Sequence, residues 1–190
     1  MLPPDDDDEP RRDPDDDPAP RDLPAFKTAA QRILDETGVP GAGIALVTAN
    51  GVEWAGGLGW ADRDRHLPVT ADTHFRAGSI SKTFVALSLV QLYEDGKVDL
   101  DAPVASVLPD VAIDNPWHAT SPVTIRHLLE HTAGFDDMHF NEVYVVDDAP
   151  DVPLAEVLRR NPASRRVRWP PGTRMAYSSP GYAVAGLVVE

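Results

Sequence analysis

A mixed α/β (α+β) domain, with an antiparallel hairpin set among helices, is the fold class the sequence predicts, and three observations carry that prediction. Apolar residues recur at helical spacing in several separate stretches. Two short extended runs flank an Asn-Gly dipeptide. The chain has 190 residues, 42% of them hydrophobic and 25% charged, enough for one domain with a sizeable core.

Over residues 23–37, Phe26, Ala29, Ala30, Ile33 and Leu34 mark one helical face, and Gly38 with Pro40 ends the run. Residues 43–48 and 52–60 read as strands, and Asn50-Gly51 between them predicts a type I′ hairpin turn. Gly57-Leu58-Gly59 has no third glycine, phosphate-loop lysine or following helix, so strand glycines are expected there and a nucleotide loop is not. Val85, Ala86, Leu89, Val90 and Tyr93 then repeat at three and four until Gly96, predicting a buried helix from about Ser79 to Asp95. Further helices are expected over 123–130, closed by Gly134, over 154–160, and from near Pro180 onward. Residues 169–172 read as a turn and 175–178 as extended chain, and no internal repeat is present.

The formal net charge of −14 is unevenly spread, with half of it between residues 5 and 22. That stretch holds ten acidic side chains against Arg11, Arg12 and Arg21, and Pro10, Pro14, Pro18 and Pro20 interrupt it. With almost no apolar surface to offset the entropy of ordering, residues 1–22 are expected to be a disordered acidic tail, and 23–190 the folded part. The acidic balance argues against nucleic acid and anionic membranes as partners, both of which require clustered Lys and Arg. There is no cysteine, which removes disulfides and thiolate metal sites. Neither a basic n-region with an apolar core nor a run of membrane-spanning length is visible, so no integral membrane segment is expected. A cytoplasmic location follows for the chain as written, or an extracytoplasmic one if the true N-terminus lies upstream.

Ser79-Ile80-Ser81-Lys82 places a hydroxyl and an amine three residues apart, on one face of a helix and in its first turn. A serine hydroxyl is a weak nucleophile until a neighbouring base takes its proton; lysine is able to do this and arginine is not. A free lysine titrates near ~10.4, and lowering it to ~7.5 requires about 4 kcal/mol. The helix N-terminus contributes roughly 0.3 to 1 kcal/mol, so desolvation must supply most of the shift. The pattern alone is equally that of an N-cap serine followed by a solvated lysine.

Its surroundings add a resemblance. Phe75-Arg76-Ala77-Gly78-Ser79-Ile80-Ser81-Lys82-Thr83 is followed by Ile125-Arg126-His127-Leu128-Leu129-Glu130-His131-Thr132-Ala133-Gly134. Then comes Pro171-Gly172-Thr173-Arg174-Met175-Ala176-Tyr177-Ser178-Ser179-Pro180-Gly181-Tyr182. Together, in this order, these stretches resemble the serine β-lactamase and penicillin-binding protein family, with its class C β-lactamases, DD-peptidases and family VIII esterases. The resemblance runs from about Leu23 to Glu190. It implies a β-lactamase/DD-peptidase-like fold, an antiparallel sheet flanked by helices plus a helical region. It further implies acyl transfer to Ser79, with Lys82 and Tyr177 moving the protons, and no cofactor.

By the same resemblance Ser179 stands in the substrate-binding position where the family often has asparagine. A serine there keeps one hydroxyl for a substrate carbonyl but lacks the paired groups of an amide. The implied substrate is a small molecule or peptide: a β-lactam, a D-alanyl peptide or a carboxylic ester. Oligomeric state is not legible in the sequence.

The resemblance also implies a K-T-G or H-x-G strand opposite the serine, which this chain does not contain. The last helix stops at Val189-Glu190 without a polar tail. The chain is therefore expected to be a fragment, incomplete at its C-terminus and impaired in turnover, because one lost oxyanion donor costs about a hundred- to a thousandfold in rate. Two other functions compete. One is a non-catalytic remnant or binding module of the same fold. The other, more remote, is a zinc hydrolase through His127 and His131, whose H-x-x-E-H spacing matches an inverted zincin helix but lacks a marked third ligand.

Overall fold

The computed structural model describes residues 19–138 and 152–190. Most of the expected acidic tail, residues 1–18, lies outside the described residues. The chain divides into two compact units, one ending at Arg76 and one beginning at Ala77.

The first unit holds helix α1 (Leu23–Thr37) and strands β1 (Gly41–Thr48), β2 (Gly51–Asp62) and β3 (Leu67–Pro68). Asp22 caps α1 by accepting from the Ala25 N–H, and Gly38 closes it in the left-handed region at φ 68°. The three strands form one sheet in the order β1-β2-β3, both pairings antiparallel, and α1 packs on β2. Gly57 is a strand glycine as expected: a Cβ there would stand 2.4 Å from the Val69 backbone.

The hairpin departs from the predicted type I′ turn. Thr48 pairs with Gly51, so Ala49 and Asn50 form the loop, and of these residues only Gly51 takes a positive φ, 118°. A type I′ turn needs two positive φ values in succession. Here glycine absorbs the one strained angle, and a register shift between Leu46 and Val47 absorbs the mismatch.

The second unit is helical. It contains α2 (Ser81–Glu94), α3 (Val104–Val107), α4 (Ile125–Leu129), α5 (Leu154–Arg160) and α6 (Ser179–Val189), with 3₁₀ turns at Gly78–Ile80 and Pro162–Arg165. Helix α6 is its hub, packing against α2, α4 and α5. Phe135, Leu89, Ile125, Leu128, Val104 and Val184 are its largest fully buried side chains. Arg165 is also buried, and its guanidinium donates to the carbonyls of Ala112, Leu158 and Asn161.

Two expectations are corrected here. The helix predicted from Ser79 begins at Ser81, because the chain enters it through a tighter 3₁₀ turn. It is also less buried than its composition implied: Leu89 is fully covered, whereas Ile80 and Phe84 are each 66% exposed. Of the apolar residues that repeat at three and four, Val90 and Tyr93 are 41% and 48% exposed, so the periodic face is only partly covered. The short α4 ends at Leu129, where the chain turns through His131. Among the described residues, no helix is long and apolar enough to cross a membrane.

Candidate active site

Gly78 takes φ 54° in open space and turns the chain into the 3₁₀ segment that holds Ser79. The Ile80 N–H closes this turn onto the Ala77 carbonyl at 3.2 Å. Ser79 is thereby presented on an exposed corner one residue ahead of the first turn of α2. Lys82 lies in that first turn, half-buried, and its Nζ donates to Ser79 Oγ at 3.3 Å. The predicted S-x-x-K juxtaposition therefore forms.

Tyr177 and Ser179 approach from the other end of the unit. Residues 174–178 run extended into the N-terminus of α6, where Ser178 caps the helix by accepting from the Gly181 N–H at 3.1 Å. Ser178 Oγ in turn donates to the Asp136 carbonyl at 2.9 Å. With that cap fixed, the Tyr177 hydroxyl donates to Ser79 Oγ at 2.8 Å. Ser179 Oγ accepts from Lys82 Nζ at 3.3 Å. All four residues singled out from the sequence are thus joined in one hydrogen-bonded chain, Tyr177 to Ser79 to Lys82 to Ser179. Lys82 Nζ also sits 4.8 Å from the centroid of the Tyr177 ring.

Two further residues belong to this constellation. Asp137 Oδ1 accepts from the backbone N–H groups of Ser179 and Met138, both at 2.8 Å. Partial burial opposes its charge, but those two N–H groups, the Ser179 hydroxyl and the Lys82 ammonium hold its carboxyl below the usual carboxylate range. The other is His131, in the left-handed region at φ 58°, whose ring lies 4.3 Å from that of Tyr177 and 5.0 Å from that of Tyr182. Its Nδ1 accepts from the Ser178 N–H at 3.1 Å. Nothing local in the sequence marked Asp137, which stands in a loop beyond the helix-ending glycine. His131 was visible as a histidine at a helix end, but its link to Tyr177 spans 46 residues and has no local signature.

The electrostatics favour proton transfer at Tyr177. Hydrogen bonding to Lys82 and then to Ser79 lowers the phenol below its ordinary value, with slight burial and Asp137 opposing. Tyr182, on the other side of His131, is raised by burial. Its hydroxyl donates to the Leu129 carbonyl at 3.0 Å. The constellation therefore offers an exposed hydroxyl that receives two donors, with a phenol and an amine positioned to exchange protons with it.

The zinc arrangement does not form among the described residues. His127 Nδ1 accepts from the Thr124 N–H at 3.2 Å and completes a capping box with the Thr124 side chain. His131 Nδ1 is taken by Ser178. No group of three or more His, Asp or Glu residues among those described is placed to hold a metal ion.

The mitochondrial serine β-lactamase-like protein LACTB of Homo sapiens is 36% identical over 115 residues, covering 60% of this chain and 21% of that protein. Esterase EstB of Burkholderia gladioli is 34% identical, covering 92% of this chain and 48% of its own. The octameric penicillin-binding protein homologue from Pyrococcus abyssi superposes with a TM-score of 0.75 at 26% identity, covering 88% of this chain and 38% of that one. The chain thus spans less than half the length of each. The Beta-lactamase family model matches residues 26–190, a span that takes in the serine turn, the His131 corner and the segment carrying Tyr177, and the β-lactamase/DD-peptidase-like fold goes with it. This chain belongs to the β-lactamase family, whose relatives are serine hydrolases.

Proposed function

We propose that the protein is a serine hydrolase that forms an acyl-enzyme on Ser79. The observation that carries this reading is the placement of the Tyr177 hydroxyl 2.8 Å and the Lys82 amine 3.3 Å from one exposed Ser79 Oγ. In the reaction, Ser79 Oγ attacks a substrate carbonyl carbon while its proton passes to the Lys82–Tyr177 pair. The tetrahedral oxyanion collapses, the carbonyl–leaving-group bond breaks, and the pair returns the proton to the leaving group. Water then attacks the Ser79 ester by the same proton route, releasing the acid and restoring the hydroxyl.

Lys82 serves this sequence in two ways. As an ammonium it stabilises the phenolate form from which Tyr177 takes the Ser79 proton and becomes a phenol. As a donor to Ser79 and Ser179 it fixes the distance between the serine turn and the start of α6. Ser179 Oγ accepts from Lys82 and its hydroxyl is hydrogen-bonded to the Asp137 carboxylate, so it turns to a substrate carbonyl only by leaving Asp137. The substrates in view are carboxylic esters, D-alanyl peptides and β-lactams; similarity to an esterase supports the first and similarity to a penicillin-binding protein homologue the last.

The test is covalent labelling of the folded, full-length protein with a fluorophosphonate probe and with a fluorescent penicillin. Labelling that disappears in Ser79→Ala is the expected result. Absence of labelling by either probe in a folded protein would instead mark a non-catalytic member of the fold.

A further inference from the structure

His131 has no role in the proton path just described, yet every strong contact it makes converges on the segment that carries Tyr177. Its carbonyl accepts from the Ala176 N–H at 2.8 Å, and its Nδ1 accepts from the Ser178 N–H at 3.1 Å. The residues on either side of Tyr177 are therefore both tied to one histidine. The ring itself lies 4.3 Å from the Tyr177 ring at an interplanar angle of 31°. Tyr182 stands 5.0 Å away at 38°. In making these contacts His131 adopts φ 58°, a left-handed conformation uncommon for non-glycine residues, although histidine, like asparagine and aspartate, takes it more often than most.

The hydrogen bond from Ser178 fixes the state of the ring. Nδ1 accepts only while it carries no proton, so the fitting form is the neutral imidazole with its hydrogen on Nε2. A second proton would place an Nδ1–H against the Ser178 N–H, donor facing donor. The groups that act on the ring come from three directions: Lys82 on α2, Asp137 on the loop beyond Gly134, and the phenols of Tyr177 and Tyr182. Burial is the largest influence and, with Lys82, pushes the imidazole below its ordinary value, while Asp137 opposes. The neutral form is thus favoured near pH 7 and is lost on acidification.

We propose that His131 is a proton-gated positioning residue: neutral, it holds Tyr177 against Ser79, and on taking a proton it releases residues 176–178 and withdraws the phenol from the serine. The proposal rests on the reading of Tyr177 as the partner of Ser79 in proton transfer.

The test is the pH dependence of fluorophosphonate labelling of Ser79 in the full-length protein. The Lys82–Tyr177 pair alone gives a rate that falls about tenfold per pH unit on the acid side. A gate at His131 adds a second break below its ordinary value near ~6.5, after which the slope steepens to about a hundredfold per unit. In His131→Asn the side-chain oxygen still accepts from Ser178, and asparagine tolerates the left-handed backbone, but nothing titrates. The second break is expected to vanish in that variant while the shallower slope remains.

His131→Phe keeps a ring but no acceptor, and where it folds its rate is expected to be low at every pH. If it does not fold, His131→Asn carries the test alone. An acid-side profile unchanged in His131→Asn overturns the gate. A Tyr177→Phe variant that labels at the wild-type rate overturns the role of Tyr177 and the gate with it, whereas loss in Tyr177→Phe beside an unchanged His131→Asn profile overturns the gate alone.

Discussion

The hydroxyl of Tyr177 donates to Ser79 Oγ across 2.8 Å although 98 positions separate the two residues in the chain. The contact is built from two local devices, a glycine-started 3₁₀ turn that presents the serine and an N-cap that aims the strand before α6. Tyr177→Phe removes one oxygen while leaving both devices intact. Its rate of ester hydrolysis or labelling is expected to fall by about a hundred- to ten-thousandfold, the usual worth of a positioned acid–base group. Because the phenol sits on an exposed site, the urea unfolding midpoint is expected to stay near that of the wild type.

Ser179 accepts from Lys82 through its oxygen, and its one hydroxyl proton is engaged by the Asp137 carboxylate. Ser179→Asn would restore an amide with two donors and an acceptor at that position. Labelling by a fluorescent penicillin, which carries an amide side chain, is expected to rise by about tenfold relative to labelling by a fluorophosphonate, which has none. One added neutral hydrogen bond of about 1.4 kcal/mol gives that ratio. Equal changes with the two probes would mean that Ser179 does not contact the amide.

Asp137 supplies a pH dependence whose sign is fixed. Its carboxyl is held below the ordinary range by hydrogen bonds from Ser179 and Met138 and by Lys82, against the opposing effect of burial. A depressed carboxyl contributes stability that is complete above the unfolded value near ~3.9 and drains away as pH falls through the lower folded value. Asp137→Asn is therefore expected to unfold at lower urea than the wild type near pH 7. The gap narrows on acidification below about pH 4, and denaturant titration at several pH values measures it directly.

Arg165 is 4% exposed and donates to three carbonyls, those of Ala112, Leu158 and Asn161. Arg165→Met fills much of the same space but removes the guanidinium donor from the Ala112 and Leu158 carbonyls, while Asn161 keeps its bond from Ser164. A loss of about 3 kcal/mol in unfolding free energy is expected, since each buried unsatisfied polar group costs roughly 1–3 kcal/mol. A change within about 0.5 kcal/mol would show that water replaces the guanidinium without cost.

The elements legible in the sequence were those whose signal is local. Helix α1 was bracketed by Gly38 and the strand glycines by the absence of any phosphate-loop companions, and a helix expected over 154–160 forms as α5. Ser79 and Lys82 stand out through their S-x-x-K spacing, whereas Tyr177 and Ser179 are singled out only by the family resemblance. The rest depended on distant partners. The hairpin turn shifted by a residue because Gly51 alone could take the positive φ, and the 3₁₀ entry to α2 is indistinguishable from an α-helical first turn in composition. His131 and Asp137 were not assigned to the site because their partners lie on a segment about 40 residues further along the chain.

Mapping the covalent adduct tests the central claim most directly. The full-length protein is exposed briefly to a penicillin or an activated ester, quenched in acid, and digested for peptide mass spectrometry. The acyl group is expected on Ser79 and on no other residue of the Gly78–Lys82 turn or the start of α6. An adduct on Ser81 or Ser179, or substrate turnover that persists in Ser79→Ala, would contradict the account.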